Sequence, residues 1–522
     1  MASRSRLVNL DAMILRADFA VADSEVPSSY DAVATISLRD FAPGSLLPSS
    51  LRKPDFQRET NHWTPDQVVS LLECFVNGDL IPSVILWRSP TYLFVIDGGH
   101  RLSVLRAWVE DDYGDGPLST AFFGHQISDE QRRSAKQTRE LVKTRIGTWQ
   151  HFQRMDRTSV TETELRKINT IVSRGLPVQW VQGNAEKAEG SFFKINTKGT
   201  PLDSIEELLL ANRKRPVAIA ARAVIRAGMG HKYWSSFSHE NVVEIETLAQ
   251  RLHTTLFEPE LNAPIKTLDL PLGGSTGVRT ALQVLIEFIV TANKNQSGEP
   301  SALDTTPEDD DGSSTIKVLK KAVNLATRFT GNDKGSLGLH PAIYFYGPTG
   351  RHVGPLFMGT ATLLARKIVN NDSLFFYKFT AVRASLEALL ISHKDLLATI
   401  LQRTISRYRT SQYADLLDKV INALNEGLTV SDADLVSYAG LVGKIIVGSE
   451  MAGGAGFSDD SKSAAFLRSS LASAMKCPIC QGYLDPQKSV SYDHIVRLQD
   501  GGAGHVGNCQ LTHPFCNQAV KH

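Results

Sequence analysis

Metal-binding residue types are concentrated near the C-terminal end of the 522-residue chain, which holds four of its five cysteines. Cys477 and Cys480 form one CxxC pair, and His513 and Cys516 form a second pair at the same spacing. Zinc takes four tetrahedral sulfur or imidazole ligands, and two short turns of this kind supply them. The pattern predicts a structural zinc site, with Cys509 as the alternative to His513. Two unrelated pairs are the other interpretation.

Between the two pairs lie residue types suited to phosphodiester hydrolysis. Ser491-Tyr-Asp-His-Ile-Val496 predicts a strand whose alternation sends Asp493 and His494 to opposite faces. Imidazole can take a proton from water near neutral pH, so His494 is the candidate general base. A divalent cation would neutralise the charge that develops on the phosphate, and an oxygen ligand such as Asp493 suits Mg²⁺ or Mn²⁺.

The order of these motifs along the chain is more informative than any one of them. The series is a CxxC pair, Asp493-His-Ile495, Gly501-Gly502, Asn508 and His513-Pro-Phe-Cys-Asn517. It resembles the HNH (ββα-metal) endonucleases. The resemblance implies that Asn517 joins Asp493 on the catalytic cation and that Asn508 stabilises the ββα loop and orients the base. Histidine at 513 departs from the commoner cysteine, which concerns the zinc ligands and leaves the catalytic set untouched.

A second candidate site lies where the apolar run Tyr92–Ile96 leads into Asp97-Gly-Gly-His-Arg101. A strand that ends in Asp-Gly-Gly and opens a helix presents free backbone N–H groups at the positive end of the helix dipole, where phosphate binds well. Arg101 and Arg58 could clamp that phosphate, and Asp97 could hold a metal ion or a ribose hydroxyl. The alternative is a tight Asp-Gly turn whose arginine pairs with a neighbouring carboxylate.

The motifs around this site also follow a family order. Gln57-Arg58, Gly78-Asp-Leu-Ile-Pro82 and Asp97-Gly-Gly-His-Arg101 resemble the QR, GxxIP and DGQQR motifs of GmrSD-type and SspE-type restriction enzymes, and Phe193–Leu202 resembles their FxxxNxxGxxL element. The resemblance implies a ParB/sulfiredoxin-like fold that binds and hydrolyses a nucleoside triphosphate, with GTP, UTP, CTP and ATP all open. Gly99 and His100 replace two glutamines, a change that binding would survive more easily than hydrolysis. The implied nucleotide-binding residues are Gln57, Arg58, Asp97, Gly98, Gly99, His100 and Arg101.

The elements that must position these sites predict an α+β multidomain chain. Residues 1–112 are predicted to form a ParB/sulfiredoxin-like α/β domain, whose family element continues to about residue 225. Residues 113–448 have mainly helical periodicity and include an acidic segment, 299–314, predicted to be a solvated loop. Residues 449–470 are predicted to be a flexible linker and lead-in helix, and residues 471–522 the ββα-metal (HNH) domain.

Local signals place individual elements within these domains. Thr64 is a predicted N-cap with Pro65 at the first helical position. Ser83–Trp87 and Tyr92–Ile96 are apolar, β-rich runs that could form a hairpin. Ser385–Leu401 predicts one helix of the middle region.

Composition limits the classes of function. Apolar residues make up 42% and charged residues 21%, as in folded soluble proteins, and the net charge of +1 provides no global attraction to a polyanion. DNA contacts would then come from local basic patches, and the segments 213–232 and 403–409 are candidates that could equally be solvated faces. The N-terminus lacks a secretory h-region, and no apolar stretch is long enough to cross a bilayer, so we expect a cytoplasmic protein without a membrane partner.

The sequence therefore predicts a modification-dependent, type IV-like antiphage restriction endonuclease that nicks or cleaves double-stranded DNA at its HNH site. The nucleotide domain would license the nuclease through a mobile joint at Gly453-Gly454. The alternative is a ParB-like, nucleotide-dependent DNA-binding regulator whose zinc finger is not catalytic. The DNA modification sensed, nicking against double-strand cutting, and homo-oligomer formation are open at this point.

Overall fold

The structure is a computed structural model, and its described residues fall into two compact units. Among the described residues, the first unit comprises those up to Arg213 and the second begins at Lys214. No helix in the described part of the chain is long and apolar enough to span a membrane. The described residues are 7–17, 19, 33–54, 57, 60–124, 127–156, 160–183, 187–188, 191, 195, 208–209, 212–228, 234–275, 278–295, 306–443 and 457–521.

A mixed six-stranded sheet lies at the centre of the first unit, in the order β1-β3-β5-β4-β6-β2. Its pairs β1–β3, β3–β5 and β4–β6 are parallel, and β4–β5 and β2–β6 are antiparallel. The predicted hairpin is confirmed as β4–β5. The strands are β1 Arg16–Ala17, β2 Thr35–Ser37, β3 Leu51–Pro54, β4 Val84–Arg88, β5 Leu93–Asp97 and β6 Gly175–Trp180.

Helices surround this sheet and bury apolar faces that include Val68 and Leu72 of α2 and Leu102 and Leu105 of α3. The predicted start of α2 is confirmed, because the Thr64 side chain accepts from Gln67 N in a capping box with Pro65 at the first position. The helices are α1 Leu47–Ser50, α2 Pro65–Asn77, α3 Gly99–Glu110, α4 Pro117–Phe122, α5 Asp129–Arg145, α6 Trp149–Arg154 and α7 Glu162–Ser173, with 3₁₀ turns at Asp11–Met13 and Leu38–Phe41.

The second unit is mainly helical, as predicted, and ends in a small two-stranded sheet. Its core includes four buried rings, Phe288, Phe329, Phe345 and Phe357, with Phe345 and Phe357 centroids 5.3 Å apart. The helices are α8 Pro216–Ile225, α9 His239–Phe257, α10 Val278–Ala292, α11 Ser313–Phe329, α12 Pro341–Tyr344, α13 Gly354–Val369, α14 Ser373–Ala381, α15 Arg383–Ser392, α16 Lys394–Arg403, α17 Arg409–Asn425, α18 Asp432–Tyr438 and α19 Asp459–Ala472, with a 3₁₀ turn at Ser406–Tyr408.

The helix predicted over Ser385–Leu401 is two helices, so that expectation was wrong. His393 leaves the helical conformation (φ −110°, ψ 23°) and its Nε2 lies 2.9 Å from Asp432 Oδ1. Lys394 then donates from Nζ to the carbonyl oxygens of Ala342 and Tyr346, 2.6 Å away in the second case. These tertiary contacts outweigh the continuous helical periodicity of the segment.

The acidic segment is only partly solvated. Glu308, Asp310 and Asp311 are exposed, but Asp309 is buried. Asp309 Oδ2 accepts from Thr315 N and Thr315 Oγ1, at 2.7 and 2.6 Å. The carboxylate thus caps the first turn of α11, whose N–H groups lack partners within the helix. Residues 299–305 lie outside the described part of the chain.

The C-terminal hairpin consists of β7, Ser491–His494, and β8, Cys509–Thr512, paired antiparallel with Asp493 opposite Gln510. The loop between them contains the 3₁₀ turns Leu498–Asp500 and Val506–Asn508, and a π-helical segment, Cys516–Val520, follows β8. The predicted joint at Gly453-Gly454 lies outside the described residues.

The burial of two histidines predicts that the second unit loses folding stability in acid. Burial lowers the pKa of His340 and of His352 from 6.5 to about 4. The unfolded chain therefore binds more protons between these values, so stability is fully present above pH 6.5 and declines as pH falls towards 4. His352→Gln keeps a donor to Leu272 O but does not titrate. We expect this variant to lose about 2 kcal/mol less stability between pH 7.5 and pH 5 than the wild type, measured by urea unfolding.

The matched control for this prediction is His239→Gln, because His239 is exposed at the start of α9. The control should keep the pH dependence of the wild type. A His352→Gln variant with the same pH dependence as the wild type would contradict the prediction.

Candidate functional site

The four predicted zinc ligands form one buried cluster. The ligand atoms of Cys477, Cys480, His513 and Cys516 all lie within 4.8 Å of one another. His513 Nδ1 is 3.3 Å from Cys480 Sγ and 3.8 Å from Cys516 Sγ. Tetrahedral ligands at ordinary zinc distances are separated by roughly 3.3–3.8 Å, so the donor set and its spacing fit a structural metal ion.

The orientation of His513 supports its role as a ligand. Its Nε2 lies 2.9 Å from the carbonyl oxygen of Tyr483, an atom that can only accept a hydrogen bond. Nε2 therefore carries the proton, and the Nδ1 lone pair faces the sulfur atoms. Cys509, the alternative ligand, is exposed on β8 opposite His494.

A buried ion pair holds the metal cluster against the helices of the same unit. Arg383 and Glu387 are both 1% exposed, with Arg383 Nε 2.7 Å from Glu387 Oε1. Glu387 Oε2 accepts from the backbone N–H of Tyr483, at 2.7 Å, just beyond the CxxC turn. A β-carbon added to Gly482 would lie 2.5 Å from Arg383 Nε, so this close approach requires glycine.

The predicted cation ligand Asp493 is buried on β7. Its Oδ2 accepts from Gln510 Nε2 at 2.8 Å and from Lys521 Nζ at 2.7 Å. Lys521 also donates to the carbonyl oxygen of His494. Lys521 was missed by sequence reasoning, because it lies beyond the last position that the motif defines.

The other hairpin residues approach β7 from different directions. Asn517 Nδ2 donates to Ser491 Oγ, at 2.7 Å, and Ser491 shares a strand face with Asp493. His494 is half-buried and belongs to the opposite face of β7, as the alternation of side chains along a strand predicts. The structure thus brings Asn517 to the face of β7 that carries Asp493. His494, with its imidazole, is the next residue along the strand.

Asn508 clamps the loop that follows the candidate base. Its Oδ1 accepts from Val496 N at 2.7 Å, and its Nδ2 donates to the carbonyl oxygens of Val496 and Ala503 at 3.0 and 2.9 Å. The side chain therefore closes the loop after His494 and does not contact the imidazole through any of these bonds.

Oxygen atoms for a divalent cation are available on the Asp493 face. Among the described residues, neither Asp493 Oδ1 nor Asn517 Oδ1 accepts a hydrogen bond. Hard cations prefer such carboxylate and amide oxygens. The residues present therefore fit the predicted cation, although the Lys521 ammonium lies beside one of them.

The second candidate site lies at the N-terminus of α3 in the first unit. Gly98 has φ +93° and caps the helix without a side-chain hydrogen bond, and a β-carbon there would lie 3.1 Å from both Arg101 Nη2 and Val84 Cγ2. Arg101 Nη2 donates to Asp97 Oδ2 at 2.7 Å and to Ser83 O at 3.0 Å. This is the arginine–carboxylate pairing of the alternative interpretation, while the position of the turn at the N-terminus of α3 matches the phosphate interpretation.

Polar and aromatic side chains adjoin this turn. Buried Gln57 lies beside Gly99, its Nε2 is 3.4 Å from Ile96 O, and its Oε1 has no hydrogen-bond partner among the described residues. His100 stacks on Trp63 with ring centroids 5.3 Å apart. Arg58 and most of Phe193–Leu202 lie outside the described residues.

Sequence reasoning also missed a buried ionic network in the first unit. Asp11 Oδ1 accepts from Lys53 Nζ at 2.7 Å, and Asp11 Oδ2 pairs with Arg16. Arg16 Nε also donates to the backbone carbonyl of Gln57, at 3.3 Å, which connects the network to the candidate nucleotide residues. Asp11 and Arg16 are close in the sequence, whereas Lys53 joins them because β1 pairs with β3, where Arg16 lies opposite Lys53.

Comparison with known proteins gives a match for the part of the chain that contains the candidate nucleotide site. Residues 44–213 match the family model of the GmrSD restriction endonuclease, N-terminal domain. This stretch of the chain is similar to that domain. No curated protein and no solved structure matches the chain.

The GmrSD match supports the predicted restriction-protein resemblance and contains Gln57, Asp97 and Arg101. It ends at Arg213, so the C-terminal hairpin and metal cluster lie outside it. The Cys₃His cluster is compatible with an HNH-type zinc module. The coarse α+β class is also confirmed, since a mixed sheet is followed by a mainly helical unit.

Metal analysis distinguishes a zinc site that includes His513 from one in which Cys509 replaces it. We expect about one zinc ion per chain for the wild type and for Cys509→Ser, and a large loss of zinc and of thermal stability for Cys480→Ser, because three ligands hold the ion weakly. Elemental analysis of the purified proteins and thermal unfolding measure these effects. Full zinc content in Cys480→Ser, or loss of zinc in Cys509→Ser, would contradict the assignment.

Proposed function

We propose that this protein is a modification-dependent, type IV-like restriction endonuclease that cleaves double-stranded phage DNA at an HNH site and is controlled by nucleoside triphosphate. The family of the N-terminal domain supports restriction of DNA. The observation that carries the nuclease assignment is the hairpin itself, where Asp493, His494 and Asn517 lie beside a Cys₃His cluster. A zinc finger that only binds DNA needs the four metal ligands and none of these three.

In the proposed reaction, His494 takes a proton from the attacking water. Asp493 and Asn517 supply oxygen ligands for Mg²⁺ or Mn²⁺, which when bound would stabilise charge on the phosphate and the leaving oxygen. Asn508 holds the loop after His494 and so limits the movement of the base. The zinc cluster fixes Asn517 relative to β7, because Asn517 follows the ligand Cys516 directly.

Lys521 adds a cation to this site. Its ammonium holds Asp493 in place and compensates the carboxylate charge, which would otherwise be costly in a buried position. A divalent cation can bind through the other carboxylate oxygen while this ion pair persists. Lys521 is therefore a positioning residue in the proposed mechanism.

The same ion pair is the observation that favours the alternative function. A carboxylate already neutralised by lysine needs no metal ion, as expected for a DNA-binding regulator with a non-catalytic finger. The hydrolysis experiments below distinguish the two functions directly.

For the first unit we propose nucleotide binding at the N-terminus of α3. The backbone N–H groups at this helix N-terminus would bind phosphate, and Arg101, already oriented by Asp97, would contact it through its remaining donors. Gln57, Gly99 and His100 would line the same pocket, with Arg58 as a further predicted ligand. Nucleotide turnover would license cutting and so protect host DNA.

The catalytic assignment predicts that His494→Ala lowers plasmid nicking in Mg²⁺ or Mn²⁺ by about 100-fold or more, because general-base catalysis is lost. Agarose-gel rates of supercoiled plasmid loss measure the effect. The matched control is His505→Ala, since His505 is exposed in the same loop and should leave the rate unchanged. Equal nicking by the wild type and His494→Ala would remove the catalytic role of His494.

The nucleotide assignment predicts that Arg101→Ala weakens triphosphate binding on the order of 10-fold or more, because a charge-assisted contact to phosphate is lost. Titration calorimetry with GTP, UTP, CTP and ATP in turn measures affinity and identifies the nucleotide. Arg166→Ala is the control, because Arg166 is 77% exposed and pairs with the exposed Glu162. Unchanged affinity in Arg101→Ala would contradict the pocket as described.

A further inference from the structure

The exposed face of α11 (Ser313–Phe329) carries an unusual concentration of positive charge. Lys317, Lys320 and Lys321 are exposed, and Arg328 is half-buried near the end of the helix. We propose that this basic face of α11 binds the phosphate backbone of the DNA duplex that is cut at the nuclease hairpin. The proposal rests on the proposed function, whose substrate is DNA, and names where that substrate is held.

Helical geometry places the cations along one side. Residues three and four positions apart share a helix face, so Lys317 lies beside Lys320 and Lys321. At 1.5 Å per residue, Lys317 and Arg328 are separated by about 16 Å along the axis, long enough to follow several phosphates of one strand. The opposite face of α11 is buried through residues such as Leu319, Ala322 and Ala326.

The helix contributes no negative charge of its own, since Ser313–Phe329 contains no aspartate or glutamate. Lys320 pairs with Glu244 of α9, with Nζ and Oε1 2.6 Å apart. Neither Lys317 nor Lys321 lies within ion-pair distance of a carboxylate among the described residues. The face therefore keeps a net positive charge in a chain whose overall charge is only +1.

A cleft of about 380 Å³, lined by apolar as well as polar side chains, extends this face towards α9. Its lining includes Arg251, Lys320 and Arg328 together with the neutral donors Asn324 and Thr327. Arg251 pairs with Asp333, whereas Arg328 Nη1 donates to Gly335 O at 3.3 Å and the guanidinium lies over the Phe376 ring, 5.1 Å from its centroid. Burial lowers the pKa of Arg328, as expected for a cation that lacks a carboxylate partner.

The end of α11 is continuous with the nuclease hairpin. Gly331 O accepts from Ser489 Oγ at 2.7 Å, and Asn332 Oδ1 accepts from Val490 N at 3.1 Å. β7, which carries Asp493 and His494, begins at the next residue, Ser491. A duplex lying on α11 would therefore approach the strand that holds the candidate catalytic residues.

The composition of the face favours nucleic acid over a protein partner. None of the large, exposed apolar side chains in the described chain belongs to α11. Protein interfaces usually have an apolar or aromatic core, whereas backbone binding needs only cations and hydroxyl or amide donors. Lysines on a duplex displace condensed counterions, so such binding depends steeply on salt.

The test replaces the three exposed lysines together, in Lys317→Gln/Lys320→Gln/Lys321→Gln. The control is Lys266→Gln/Lys378→Gln/Lys462→Gln, which removes the same charge from exposed lysines elsewhere in the same unit. Binding of a fluorescent duplex without divalent cations is followed by anisotropy from about 50 to about 200 mM salt. In parallel, hydrolysis of bis(p-nitrophenyl) phosphate with Mn²⁺ reports on the nuclease site without requiring a DNA-binding surface.

We expect the α11 variant to bind the duplex on the order of 10-fold more weakly at the lower salt concentration. The plot of log binding constant against log salt concentration should also become less steep by about 2 to 3, because each lost phosphate contact removes roughly 0.9 from its slope. The control should bind as the wild type does, and all three proteins should hydrolyse the small diester equally. Unchanged binding by the α11 variant, or equal weakening in both variants, would overturn the proposal. Absence of diester hydrolysis in all three proteins would instead count against the proposed nuclease, while the binding data still decide the role of α11.

Discussion

The buried pair of Arg383 and Glu387 ties the metal cluster to the helical framework. Arg383 donates to the carbonyl oxygens of Leu337 and Gly338, and Glu387 accepts from Tyr344 Oη and Tyr483 N. Charges buried this deeply are tolerated only when paired and fully hydrogen-bonded, and removal of one partner typically costs about 3–5 kcal/mol. The position of the hairpin that carries Asp493 and His494 thus depends on two residues about a hundred positions earlier in the sequence.

Local signals in the sequence were sufficient for some of the elements and for the four residues of the Cys₃His cluster. The Thr64 cap, the β4–β5 hairpin and the spacing of Cys477, Cys480, His513 and Cys516 are encoded within a few residues each. Long-range contacts were not predictable in this way. Arg383 has no motif, and Lys521 gains its role only when the chain turns back onto β7. The break at His393 likewise depends on side chains brought from other helices.

At the N-terminus of α3 the two interpretations of the Asp-Gly-Gly turn are compatible. The Asp97–Arg101 pair orients the guanidinium beside a helix end whose N–H groups lack a side-chain cap. Pre-orientation of this kind lowers the entropy that a phosphate contact must overcome. The buried Asp11, Arg16 and Lys53 network links β1 to β3, and Arg16 also donates to the carbonyl oxygen of Gln57, which lies beside Gly99.

The C-terminal 52 residues are poorly suited to transplantation as a nuclease cassette. Phe515 N donates to Ser336 O, and the Phe515 ring packs against Phe376 and Tyr377 of α14. A fragment cut at residue 471 would expose that ring and lose the acceptors at Gly331 and Ser336. The donor protein would keep Glu387 without its Tyr483 partner. For the packing of the hairpin to be preserved, its contacts with Ser336, Phe376 and Glu387 would all have to move with it.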